Sequence, residues 1–212
     1  TTPIYINKPQ KSGRASNEAF LLGTGFFFTY QGMTFLVTAA HVIKGLDTKT
    51  LFGGHVQGKA FLLNGIPFIF CHDNDLAIAP LLPEWLLQNG LRDVPALPLD
   101  QGLSGEEPLG HWVTMGYPVS KNGINPKLAK HAINLHGTSF TEMIQAPMCK
   151  AHIRDPLAFR FDKKSAITVE HKRENPPSFS GTSGSPVLQI FCRVLGPDLV
   201  DLSCRLEGVF LG

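Results

Sequence analysis

Glycine and proline divide this sequence into many short segments, and this spacing is what most constrains the fold. The 212 residues include 21 glycines and 16 prolines, and the runs between them are rich in strand-forming residues. Glycine and proline favour the turns that connect short strands. One segment alone, PEWLLQNGL at residues 83–91, has the composition of one or two helical turns. The sequence therefore predicts an all-β protein, built as a barrel or a sandwich.

The strongest strand prediction covers residues 20–45, FLLGTGFFFTYQGMTFLVTAAHVIKG, as two strands joined by a tight turn at residues 31–33. Residues 66–81 hold two more short apolar runs, which the polar stretch HDND separates. The polar, glycine-rich segment 98–110 is interpreted as a linker that divides the chain into nearly equal halves. Further strands are predicted at residues 111–118, 158–162, 185–194 and 198–210.

The charge balance gives no argument for a polyanionic partner. The chain has 19 lysines and arginines against 17 aspartates and glutamates, a net charge of +2. Its apolar runs are all shorter than a membrane span. We therefore expect binding to neither nucleic acid nor membrane, and we expect no cofactor.

The cysteines bear on the cellular compartment. Cys71, Cys149, Cys192 and Cys204 form no metal-ligand pattern and are few for a secreted disulfide scaffold of this size. This favours a cytoplasmic protein with free thiols, in a bacterium or in the cytosol of a host cell, with a secreted protein as the alternative. A Cys192–Cys204 pair across a hairpin stays open.

The decapeptide SFSGTSGSPV at residues 178–187 contains four serines framed by glycine. A serine acts as a nucleophile only beside a base, and it needs backbone N–H groups that stabilise the oxyanion of the transition state. Flanking glycines allow the tight turn that presents such groups. Gly181 lies two residues before Ser183, and Gly184 follows it. Ser183 is therefore the candidate nucleophile, although a plain turn between strands explains this segment alone equally well.

His41 and Asp75 are the candidate base and its orienting carboxylate. His41 ends the apolar segment TFLVTAAH, where it can project from a strand end into a cleft. Asp75 directly precedes LAIAPL, where a half-buried carboxylate can hold an imidazole N–H. Asp73, in the polar turn, is the competitor and is expected in solvent. Each residue alone has an ordinary structural interpretation, but the order His41, Asp75, Ser183 favours a Ser-His-Asp site between the two halves.

Three blocks carry a family resemblance. GTGFFF…FLVTAAHVI, DNDLAIAPL and GTSGSPV resemble, in this order, the motif blocks of trypsin/chymotrypsin-like serine proteases, in the style of compact bacterial and viral-type members. The resemblance covers roughly residues 20–212. It implies two six-stranded antiparallel β-barrels with the active site in the crevice between them. Residues 1–105 would form the barrel that carries the histidine and aspartate, and residues 106–212 the barrel that carries the serine and the specificity pocket.

The resemblance also implies roles for single residues. Ser183 would attack the scissile carbonyl, His41 would act first as base and then as acid, and Asp75 would orient His41. The N–H groups of Gly181 and Ser183 would form the oxyanion hole. The remaining serines of the segment would be turn or pocket residues: Ser178, Ser180 and Ser185.

The substrate pocket implied by the resemblance is neutral. Pro177, six residues before the nucleophile, would lie at its base, and Phe210 and Leu211 of the segment LEGVFLG would line it. These residues offer no carboxylate for lysine or arginine and no histidine for glutamine. The sequence leaves open whether the side chain of Glu174 extends into the pocket. We therefore expect a neutral or apolar P1 residue in a protein or peptide substrate.

Two departures from the family pattern concern regulation. Thr182 stands where the digestive members carry an aspartate, so a freed N-terminus should not switch this site on. Either local hydrogen bonds from Thr182 or Ser185 order the oxyanion loop, or the loop stays collapsed, which we favour, until a regulatory protein or a downstream segment docks. The family usually continues beyond Gly212, so the missing part belongs to a longer chain, a disordered extension or a partner.

A further departure concerns the compartment. Val42 replaces a cysteine that commonly follows the histidine, which agrees with a reducing compartment.

These features predict a serine endopeptidase that works through an acyl-enzyme. The alternative is a catalytically silent pseudoprotease that binds peptides or proteins in the same cleft. A third candidate is an esterase that uses the same three residues.

Overall fold

The structure is a computed structural model, and it describes residues 1–8, 18–54, 60–99, 107–122, 135–140, 143–144, 156, 158–159, 178–196 and 199–211. Within these residues the secondary structure consists mainly of strands, which are β1 (Thr2–Lys8), β2 (Glu18–Tyr30), β3 (Met33–Ala39), β4 (Leu51–Gly54), β5 (Ala60–Leu62), β6 (Ile69–Cys71), β7 (Leu76–Leu81), β8 (Leu97–Pro98), β9 (Glu107–Gly116), β10 (His136–Phe140), β11 (Met143–Ile144), β12 (Ala158–Phe159), β13 (Pro186–Gly196) and β14 (Leu199–Val209). Two short α-helices accompany them, α1 (Ala40–Ile43) and α2 (Pro83–Gln88). Three single 3₁₀ turns cover Thr48–Thr50, His72–Asn74 and Val119–Lys121.

The strands of the two halves form separate sheets. The larger sheet has the order β5-β4-β1-β2-β3-β7-β6, with β8 added alongside β2. A four-stranded sheet has the order β10-β9-β13-β14, and β11 pairs with β12. All these pairings are antiparallel except that of β2 with β8. The prediction of an all-β fold is confirmed, and that of two six-stranded barrels stays a prediction.

The first hairpin follows from its turn residues. Tyr30 pairs with Met33, which leaves Gln31 and Gly32 as a two-residue loop. Both have positive φ, 47° and 75°, as a type I′ turn requires. The predicted turn at residues 31–33 is thus confirmed, and it fixes the register that brings β3 beside β7.

The core of the first half lies against the larger sheet. Leu36, Leu51, Leu63 and Leu91 are fully buried there. Alternate residues of β7 point into this core, as the period of two along a strand requires. The second half instead packs aromatic rings: Phe159 lies 5.1 Å from Phe140 and 5.6 Å from Trp112 between ring centroids.

One prediction needs correction, and one open question is answered. Residues 107–110, predicted as linker, belong to β9, because Glu107 and Pro108 pair with β13. A Cys192–Cys204 disulfide is not formed, because β13 and β14 pair Cys204 with Ile190 and Cys192 with Leu202. Both thiols are free, as is that of Cys71. Cys149 lies outside the described residues.

Candidate active site

Neighbouring strands of the larger sheet bring His41 and Asp75 together. Ala39 at the end of β3 pairs with Leu76 at the start of β7. His41 lies in the single turn of α1 that follows β3, rather than at the strand end itself, and Asp75 directly precedes β7. The Asp75 carbonyl accepts a 2.7 Å hydrogen bond from the Ala40 N–H, which closes this corner.

The Asp75 carboxylate holds His41 at two points. Oδ1 accepts the His41 backbone N–H at 2.9 Å, and Oδ2 lies 2.5 Å from ring atom Nδ1. Because a carboxylate only accepts, Nδ1 carries the proton, and Nε2 of the neutral ring is then an acceptor. The side chain of Asp75 is 25% exposed and that of His41 is 48% exposed, so the ring is open to solvent on one side. This arrangement can orient a general base. Asp73 is exposed, as expected.

Two successive turns shape the loop that carries Ser183. The Thr182 N–H donates to the Phe179 carbonyl at 2.9 Å, and the Ser185 N–H donates to the Thr182 carbonyl at 3.0 Å. Each turn has glycine at its third position, Gly181 with φ 89° and Gly184 with φ 90°. A type II turn requires positive φ there. The three-residue spacing of the two glycines is therefore the spacing of two linked type II turns.

Side chains within this loop reinforce the turns. The Thr182 hydroxyl donates to the Phe179 carbonyl at 2.5 Å, and the Ser185 hydroxyl donates to the Thr182 carbonyl at 2.6 Å. Local hydrogen bonds therefore order this loop, which is the first of the two alternatives drawn from the sequence. Collapse of the oxyanion hole until a regulatory protein or a downstream segment docks, the alternative that the sequence favours, stays a prediction.

The peptide that follows Ser183 joins the two halves. Its carbonyl accepts a 2.8 Å hydrogen bond from the Thr24 N–H of β2, and the Gly184 N–H donates to the Phe210 carbonyl at 2.8 Å. A trans peptide points these two groups in opposite directions, so each half holds one side of it. Gly184 also lies against the end of β3, since a methyl group added there would come within 2.9 Å of the Ala39 nitrogen. The Ser183 loop thus lies beside the strand that leads into His41.

The predicted oxyanion donors share this loop. The Ser180 carbonyl accepts a 2.7 Å hydrogen bond from the Val119 N–H. Because the peptide is planar and trans, the Gly181 N–H points to the side opposite Val119. The peptide between Thr182 and Ser183 is fixed by the same principle. Its carbonyl accepts hydrogen bonds from Ser185, so the Ser183 N–H points to the side opposite Ser185.

The predicted pocket residues separate into different environments. Phe210 packs against Phe179, with ring centroids 5.2 Å apart, and against Phe140 at 6.3 Å. Leu211 is partly buried and packs against the core of the first half. Pro177 and Glu174 lie outside the described residues.

The sequence analysis missed Thr24 and Tyr117. Thr24 belongs to the quoted block GTGFFF, but both hydrogen bonds of its hydroxyl are with residues more than 90 positions away. The only local signal is a small polar residue between two glycines inside an apolar strand.

Searches for known relatives returned no match, either among family models or among the curated proteins. Nor do the described residues contain a cluster of three histidine, cysteine, aspartate or glutamate side chains that could hold a metal ion. Neither helix in the described part of the chain has the length and apolar character needed to cross a membrane.

Proposed function

We propose that this protein is a serine endopeptidase of the trypsin/chymotrypsin-like type. The observation that carries the proposal is the contact of Asp75 with both the ring and the backbone of His41, beside the double-turn loop of Ser183. A carboxylate that fixes the imidazole tautomer is what a Ser-His-Asp site needs. The finer architecture, two six-stranded barrels with the site in the crevice between them, is part of this proposal.

The mechanism assigns one task to each residue. His41 Nε2 takes the proton of Ser183 Oγ as this oxygen attacks the scissile carbonyl of a protein or peptide substrate. The N–H groups of Gly181 and Ser183 stabilise the oxyanion, and Asp75 stabilises the imidazolium. His41 then protonates the leaving amine, which leaves an acyl-enzyme. Water, activated by the same imidazole, releases the product and restores Ser183.

The primary specificity is for a neutral or apolar P1 residue. Phe210 lies in an aromatic cluster with Phe179 and the buried Phe140, and the partly exposed rings of Phe210 and Phe179 offer apolar surface beside the nucleophile loop. Phe210 is the predicted pocket residue that this cluster contains, whereas Leu211 packs against the core of the first half and Pro177 lies outside the described residues. Apolar rings bind an uncharged side chain and offer no carboxylate to a buried lysine or arginine head group.

A peptide library that varies P1 tests the proposal. The wild-type protein should cleave peptides with apolar P1 residues, and Ser183→Ala should lose about a million-fold in turnover. Ser178→Ala is the matched control, because Ser178 is exposed and precedes the double turn. Binding without cleavage by both wild type and Ser183→Ala would instead support the pseudoprotease alternative. Cleavage confined to ester substrates would support the esterase.

A further inference from the structure

Thr24 of β2 uses every polar group it has, in a fully buried position. Its N–H donates to the Ser183 carbonyl at 2.8 Å, and its hydroxyl donates to the Gly181 carbonyl at 2.9 Å. The same hydroxyl oxygen accepts the Tyr117 N–H at 3.0 Å. Its own carbonyl accepts the Thr38 hydroxyl at 2.7 Å. A threonine hydroxyl has one proton to donate and lone pairs to accept with, so this set is chemically complete.

Three of these four hydrogen bonds connect the first half to the second. The residue opposite Thr24 on β1 is Pro3, which has no N–H to donate. The N–H and the hydroxyl of Thr24 donate instead to the loop of residues 180–185. It is the point at which β2 holds the candidate nucleophile loop.

The loop has little freedom left once Thr24 is bound. The carbonyls of residues 180 to 183 each accept a hydrogen bond, and Thr24 supplies the donor for two of them. A held carbonyl also fixes the N–H on the same planar peptide. Val119 and Ser185 hold the other two carbonyls, but both residues belong to the second half. Within the described residues, Thr24 is the donor to these carbonyls that comes from the half that carries His41 and Asp75.

We propose that Thr24 is a positioning residue: its hydroxyl and N–H set the place of the Ser183 loop relative to His41. The proposal rests on the proposed peptidase function. Thr24 touches no reacting atom, and it acts by keeping Ser183 Oγ within reach of the imidazole. A misplacement of about 1 Å typically costs about 100-fold in rate.

The test compares Thr24→Val with Thr24→Ser. Valine keeps the shape of threonine but leaves the Gly181 carbonyl and the Tyr117 N–H without partners, whereas serine keeps the hydroxyl. Thr2→Val is the matched control, because Thr2 is also buried and its hydroxyl donates to Gly54, away from the loop. We expect Thr24→Val to lower kcat about 100-fold with little change in KM. Thr24→Ser and Thr2→Val should keep most of the wild-type kcat.

Amide hydrogen exchange at Thr182, Gly184 and Ser185 gives a readout that does not depend on activity. These three N–H groups are hydrogen-bonded in the loop, so they should be protected in the wild type and in Thr24→Ser and lose protection in Thr24→Val. If Thr24→Val does not fold, Thr24→Cys takes its place, because a thiol keeps the size but is only a weak donor.

The outcomes separate the two proposals. Equal kcat and equal loop protection in Thr24→Val and Thr2→Val would overturn the role of Thr24, whatever the protein catalyses. An inactive wild type with selective loss of loop protection in Thr24→Val would refute the peptidase function and support Thr24 as the residue that holds the loop.

Discussion

At the scale of single residues, the left-handed backbone of Asp75 lets one carboxylate serve two donors. Its φ is 49°, a conformation that aspartate adopts more readily than most residues. The chain turns there from the 3₁₀ turn at His72–Asn74 into β7, and the carboxylate reaches back to His41. The carboxylate also satisfies a backbone N–H at the start of α1, where no neighbouring side chain caps the helix.

Replacing Asp75 by asparagine should lower kcat by about four orders of magnitude. Asparagine tolerates the same backbone conformation, so the fold should survive. Its amide can turn an N–H toward Nδ1, which stabilises the wrong tautomer of His41. Steady-state kinetics on a peptide with an apolar P1 residue measures the effect.

Asp73→Asn is the control for this prediction. Asp73 lies two residues away in the same polar turn and is exposed, so its replacement should leave kcat nearly unchanged. Comparable losses in the two variants would mean that the carboxylate of Asp75 has no special role.

The candidate residues could be named from the sequence because each carries a local signal. His41 follows two alanines, Asp75 precedes an alternating strand, and Ser183 lies between glycines. Thr24, a small polar residue between two glycines, carries only a weak local signal, because its part depends on hydrogen bonds to residues 93 and 157 positions away. Only the packing of the two halves makes these contacts.

At the scale of secondary-structure elements, the double turn around Ser183 depends on glycine at position 184. An added methyl group would overlap the Thr24 carbonyl and the Thr38 hydroxyl. Gly184→Ala should therefore lower the free energy of unfolding by about 1–2 kcal/mol for the positive φ and about 1–3 kcal/mol more for the overlap. Urea denaturation measures the sum, and the variant should also lose activity.

Gly32→Ala provides the comparison, because Gly32 also has positive φ, at 75°, but has open space around the added methyl group. It should cost only the conformational part, about 1–2 kcal/mol. An equal loss of stability in both variants would contradict the close packing of the loop against β2 and β3.

Several elements could be predicted from pattern, whereas others depend on long-range pairing. The hairpin of β2 and β3 follows from its turn residues, and α2 begins at Pro83 as expected. The strand β1 was missed, since TPIYINK contains a proline and ends in polar residues. Its pairing with β2 and β4 is what makes it a strand. The start of β9 in a polar segment has the same explanation, through β13.

At the scale of the whole molecule, Tyr117 lies where the two halves meet. Its burial there predicts that the free energy of unfolding falls at alkaline pH. Burial raises the pKa of Tyr117 above its ordinary value of 10.0, although its hydrogen bond with Thr1 opposes part of this. Burial also raises the pKa of Tyr5. The folded protein holds these phenols neutral, while the unfolded chain releases their protons near pH 10. Their contribution is therefore fully present below about pH 10 and is lost as pH rises through the higher folded-state pKa.

Denaturation between pH 8 and pH 12 should show this decline, with a shallower slope in Tyr117→Phe, which has no phenol to ionise. Tyr30→Phe is the control, because Tyr30 is exposed and lies at the hairpin end of β2. A slope in Tyr117→Phe as steep as that of the wild type would exclude Tyr117 as a source of the decline.

The three motif blocks predict that His41 and Asp75 belong to the first half and Ser183 to the second. They do not predict the hydrogen bonds that connect the two halves. Tyr117 and Thr24 are ordinary strand-forming residues in ordinary contexts. A cavity of about 120 Å³ at the junction is lined from both halves, by Thr2 and Phe61 on one side and Tyr117 and Leu135 on the other. Such surfaces exist only after both sheets have formed.

Covalent labelling with a fluorophosphonate tests whether Ser183 is an activated nucleophile. This reagent reacts with a serine that a neighbouring base has activated, so intact-mass measurement followed by peptide mapping identifies the reactive residue. We expect one label per chain, on Ser183, with no label on Ser183→Ala and full labelling of Ser178→Ala. An unlabelled wild-type protein, or a label on any other serine, would show that Ser183 is not the nucleophile.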